Sequence, residues 1–83
     1  MDYAGIVKEL ISDVITKNGY KLDDVLYVKE GTVYFLRVII DKDGIIDLND
    51  CCTVTNLINP IIDEADPIED NYILDVCSKE KGK

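Results

Sequence analysis

The side chains best suited to chemistry lie in one stretch, LRVIIDKDGIIDLNDCC, residues 36–52. Asp41, Asp43, Asp47 and Asp50 could ligate a metal or form a catalytic carboxylate pair, and Cys51 and Cys52 add two thiols. An EF-hand loop takes acidic or amide groups at positions 1, 3 and 5, glycine at 6 and glutamate at 12. With Gly44 at position 6, Asp41 and Asp43 fall correctly, but Ile39 takes position 1 and Asp50 position 12. The match fails at its first ligand. A general acid–base pair needs an environment that shifts one pKa, and these carboxylates stand on a turn expected to be open to water. A cysteine near a helix N-terminus can be an activated thiolate. Cys51, however, falls on an apolar helical stripe and reads as packing, while Cys52 reads as the more exposed thiol. The chain has no histidine, which removes the commonest zinc ligand and the commonest general base. The stretch therefore reads as architecture, with DKDG ending a strand and DLND capping a helix. No catalytic residue, metal ligand or cofactor site is expected.

The elements that must position these residues follow from periodicity. Apolar residues at 6, 7, 10, 11, 14 and 15 make one helical stripe and predict a helix over residues 3–18. Asp2 can cap its start, and Gly19 can end it in the left-handed conformation. VLYVKEGTVYFLRVIID predicts a hairpin with strands at 25–30 and 33–41. In the second strand Leu36, Val38 and Ile40 face one way, and Val33, Phe35, Arg37, Ile39 and Asp41 face the other. That outer face is half apolar. Cys51, Val54, Thr55, Ile58, Ile61 and Ile62 then form a second helical stripe, and Asp47 with Asp50 resembles a capping box. One bent helix over 48–64 is expected, with Pro60 removing the hydrogen bond to Asn56 and Pro67 marking the stop. NYILDVCS, residues 71–78, alternates as a third strand, with Tyr72, Leu74 and Val76 inward.

The order helix, strand, strand, helix, strand predicts an α+β two-layer sandwich, a three-stranded sheet with both helices on one face. Its expected core is Ile6, Leu10, Val14, Val25, Tyr27, Leu36, Val38, Ile40, Val54, Ile58, Leu74 and Val76. At 83 residues the chain forms one small domain that buries about 60–65% of its unfolded surface. Residues 1–78 are expected to be that domain. Residues 79–83, KEKGK, are expected to be a polar and disordered tail, a tag remnant or the start of a linker.

Charge narrows the function. Residues 1–78 hold six basic and sixteen acidic side chains, a net −10. Such a chain repels phosphate backbones, so direct RNA contact is expected to be weak or absent and a basic partner is favoured. The five glycines never form the GXXG spacing of a KH-type RNA clamp. No Gly-rich phosphate loop, nucleophile elbow or CxxC occurs. MDYAGIVKEL lacks the basic start of a signal peptide, and no apolar run nears the roughly 18 residues of a membrane span. The cysteines read as reduced, buried thiols of a cytoplasmic protein. By exclusion, the sequence reads as a binding module.

Five segments in order, NGYKLDDVLYVKEG, LRVIIDKDG, DLNDC, IIDEADPI and YILDVCS, resemble the N-terminal domain of the bacterial ribosome maturation factor family RimP. The resemblance covers residues 18–78, and the first helix fits as well. It implies a KH-type-like arrangement without the GXXG loop, and a non-enzymatic cytosolic factor that binds the small ribosomal subunit during assembly. It also implies a second, SH3-like domain beyond a Ser-Pro-Gly-Leu-x-Arg motif, where this chain instead has KEKGK after Ser78. Leu26 and Ile39 stand where the family often has glutamate and tyrosine, and Pro60 and Cys77 depart from its pattern as well. Charge and resemblance together favour a basic ribosomal protein as the partner, with Asp41, Asp43, Asp63, Glu64 and Asp66 as contact residues. The second reading is a protein-interaction or oligomerisation module using the outer face, with Leu26, Val28, Phe35 and Ile39 as its contacts.

Overall fold

Asp2 accepts the Gly5 N–H at 3.1 Å and starts helix α1, Tyr3–Lys17, in a computed structural model that describes residues 2–79. The expected tail, from residue 80 onward, lies outside the described residues. α1 ends in a Schellman arrangement: Tyr20 N–H donates to Ile15 C=O and Gly19 N–H to Thr16 C=O, each at 3.1 Å. Gly19 holds φ +85°, which only glycine adopts without penalty.

The hairpin follows as β1, Lys21–Glu30, and β2, Val33–Asp41; helix α2, Leu48–Ala65, and β3, Tyr72–Ser78, complete the chain. The sheet order is β1-β2-β3, with β1 antiparallel and β3 parallel to β2. Both helices lie on its inner face, α1 on β1, α2 on β3 and each against the other. This is the expected α+β sandwich, with a mixed sheet.

β1 begins four residues before the expected Val25. The register slips between Leu22 and Asp24, so a bulge at Asp23 separates the pairs Leu22–Ile40 and Asp24–Ile39. The extra residue lets Leu22 and Val25, three apart, pack on the same side, which strict alternation forbids.

The core is Val7, Ile11, Ile15, Val25, Leu36, Val38, Ile40, Ile46, Val54, Ile58, Ile62 and Ile68. The expected centre of α1 is corrected here. Its apolar residues form two adjacent rows; the one turned inward is Val7–Ile11–Ile15, leaving Ile6 37% exposed and Leu10 and Val14 at the margin. Tyr27, Leu74 and Val76 likewise pack against the core without being fully buried. Ile46 and Ile68 come from the loops flanking α2, and neither was expected in the core. α2 runs as one helix through Pro60, which sits on its exposed side.

Candidate functional site

The acid-rich stretch that opened the sequence reading is a structural junction. Asp47 accepts the Asp50 N–H and donates its own N–H to the Asp50 carboxylate, both at 3.0 Å, which completes a capping box. Asp50 also accepts from the Tyr20 hydroxyl at 2.7 Å and pairs with the Lys42 ammonium at 2.9 Å. Those donors favour the charged carboxylate, the Asp47 N–H most, and hold its pKa well below the usual carboxylate range. Asp41 accepts the Lys42 N–H at 2.9 Å, and Asp43, 98% exposed, pairs with Lys21 at 3.3 Å. Among the described residues no group of three His, Cys, Asp or Glu side chains is gathered as a metal site.

The candidate contact residues separate into three places. Asp41 and Asp43 lie at and just past the C-terminal end of β2. Asp63, Glu64 and Asp66 lie at the C-terminal end of α2, beside the start of β3. β3 runs parallel to β2 from the Tyr34–Tyr72 pair to Ile40–Ser78, so the two acidic sets are about 20 Å apart along the sheet. They do not form one patch. Leu26, Phe35 and Ile39 occupy the outer sheet face, where Arg37 pairs across to Leu26 on one side and Asp75 on the other. The Arg37 guanidinium lies 3.2 Å from Asp75, 3.8 Å from Glu30 and 5.9 Å from the centre of the Phe35 ring. Ile73, 50% exposed, belongs to this face and was not among the expected contacts.

The two acidic sets differ electrostatically. Asp43 is paired in space with Lys21, and Lys42 stands between Asp41 and Asp43 in the chain. The α2 end has no ion pair among the described residues, and no lysine or arginine occurs in the sequence between Lys42 and Lys79. Asp66 closes the helix in the left-handed conformation, φ 45°, with its N–H on Ile62 C=O at 2.8 Å, and Pro67 prevents the helix from continuing. The loop then turns back over Ile68, which is buried, and displays Glu69 and Asp70. Asp63, Asp66, Glu69 and Asp70 thus rim a cleft of about 380 Å³ with Ile62, Ile68, Tyr72 and Leu74 along its walls. None of the five carboxylates from 63 to 70 makes an ion pair among the described residues; Asp70 accepts from the Tyr27 hydroxyl at 3.3 Å. Partial burial and then the charges of Asp63 and Asp66 raise the Tyr72 pKa. Desolvation, followed by Asp70, pushes Tyr27 up to about 12. Glu69 and Asp70 line the cleft but were not among the expected contacts, although the unbroken run without a basic residue was a usable signal for them.

Carboxylates are normally disfavoured at a helix C-terminus, where the backbone carbonyls already present negative potential. α2 has no basic residue in its last turn to offset them. The arrangement therefore concentrates negative potential at one end of α2, at some cost to the helix.

Residues 10–79 match the RimP N-terminal domain family. The chain belongs to that family. The matched span takes in the second half of α1 and all of the sheet and α2, so the acidic cleft and the outer sheet face are both parts of the RimP domain itself. Membership places the chain among ribosome maturation factors. No helix among the described residues of this RimP domain is long and apolar enough to cross a membrane.

Proposed function

We propose that this RimP domain acts without catalysis in maturation of the small ribosomal subunit, in the cytoplasm, by docking on a basic ribosomal protein surface. The observation that carries the reading is the crowding of Asp63, Glu64, Asp66, Glu69 and Asp70, without ion-pair partners among the described residues, at the negative end of α2. A lysine or arginine entering the cleft would lay its aliphatic stem along the half-buried Tyr72 and Leu74 and reach the carboxylates with its head. Asp41 and Asp43 are the secondary contact, weakened by the Lys21 already paired with Asp43. An SH3-like second domain, where one is joined, would take the RNA-facing part of the task.

The test is co-sedimentation with purified small and large subunits at low and moderate salt. Binding to the small subunit alone that weakens with salt is expected. Reversing Asp63 and Asp66 to lysine should weaken it about tenfold or more, and reversing Asp41 and Asp43 less. Binding unchanged by the α2 reversals at low salt would overturn the role of the cleft. The second reading, interaction or oligomerisation through the outer face, draws on the exposure of Leu26, Val33 and Ile73. A strictly monomeric sedimentation profile with no dye-accessible apolar surface would remove it.

A further inference from the structure

The two edges of the sheet differ. β1 carries the bulge at Asp23 together with Lys21, Asp24, Lys29 and Glu30, an irregular and charged edge of the kind that discourages strand pairing. β3 has none of these devices. It keeps unbroken register with β2 over Tyr72–Ser78, contains no lysine, proline or glycine, and has Asp75 as its one charge. The Lys79 N–H donates to Ile40 C=O at 2.8 Å. Alternation then directs the Asp75 and Cys77 N–H groups to β2, and those of Leu74 and Val76 to the free edge. The core is also less closed here. Leu74 and Val76 face inward yet stay half-buried, whereas their β2 partners Leu36 and Val38 are fully buried.

We infer that the β3 edge accepts an extended segment of a basic protein as a fourth strand, with an arginine or lysine opposite Asp75 and apolar residues opposite Ile73 and Cys77. Main-chain bonds to Leu74 and Val76 supply the attachment, and the outward side chains supply the selectivity. The outer face sets the charge of the occupant. Among the described residues Glu30 and Asp75 pair only with Arg37, which leaves one carboxylate in excess for an incoming cation. A second copy of the chain fits poorly: antiparallel pairing of two β3 strands centred on Asp75 opposes like charges, and each chain carries −8. The inference goes beyond the proposed function, since it stands on edge geometry and holds whatever particle supplies the segment.

The test is amide hydrogen exchange on the ¹⁵N-labelled full chain, titrated with a nine-residue peptide of valine and threonine around a central arginine, with a lysine at each end. The Leu74 and Val76 amides should slow by about tenfold or more at saturation. A glutamate-centred counterpart should bind about fivefold more weakly. Asp75→Asn should erase that preference and Asp75→Lys reverse it. Protection confined to the cleft loop or to β1, no protection at millimolar peptide, or equal affinity for the two peptides would overturn the inference. So would protection of Leu74 and Val76 that grows with protein concentration alone, which would assign the edge to self-pairing.

Discussion

The Tyr20 hydroxyl donates to the Asp50 carboxylate at 2.7 Å, joining the corner between α1 and β1 to the first turn of α2 across thirty residues of chain. The same carboxylate holds Lys42, whose ammonium lies 5.9 Å from the centre of the Tyr20 ring. Three chain segments therefore meet on one side chain. An aspartate that could have been a metal ligand has its oxygens occupied by structural donors.

Removing the tyrosine hydroxyl should loosen that junction. Tyr20→Phe is expected to lower unfolding stability by about 1 kcal/mol, read as a lower urea midpoint at unchanged m-value.

The pH dependence has a definite sign. The Asp50 pKa in the fold lies below its unfolded value of about 3.9. Its contribution is therefore complete above about pH 5 and declines as the pH falls through 4 and lower. Asp50→Asn should lower stability near neutral pH and flatten the acid limb of the stability curve. An unchanged acid limb would show that other carboxylates set it.

The orientation of α1 can be tested with one chemical change at two sites. Ile11→Val should cost about 1 kcal/mol, because Ile11 is fully buried. Ile6→Val should cost only a few tenths, and comparable losses at both sites would contradict the inward row.

At Asp66 stability and binding should move in opposite directions. Glycine takes φ 45° without the penalty a side chain incurs, so Asp66→Gly is expected to gain about 0.5–1 kcal/mol in denaturation. It also removes a cleft carboxylate, and subunit binding should weaken in the same preparation.

None of the three thiols is fully buried, contrary to expectation: Cys51 and Cys77 are half-buried and Cys52 is exposed, so alkylation of the native protein should label Cys52 first and Cys51 more slowly. Cys77 should be slow as well, because burial, reinforced by Asp75, raises its pKa and reduces the thiolate fraction. Mass spectrometry of a time course would give the order, and faster labelling at Cys51 would contradict its place on the packed side of α2.

Much of the fold was legible because its signals are local. Capping by Asp2, the Asp47–Asp50 box, the glycine stop after α1 and the alternation of Leu36, Val38 and Ile40 all involve residues within four positions of one another. Backbone geometry enforces such relationships wherever the chain later packs. Other features had no local signature. The choice of Val7–Ile11–Ile15 over the adjacent row, the Asp23 bulge, the parallel pairing of β2 with β3 and the burial of Ile46 and Ile68 depend on which surfaces exclude water together. The candidate site divides in the same way. Its acidity was plain in the composition, whereas the separation of Asp41 and Asp43 from Asp63, Glu64 and Asp66, and the addition of Glu69 and Asp70 to the latter, came from the length of the sheet and the turn of one loop. Charge is written residue by residue, but proximity between distant residues arises only when the core closes.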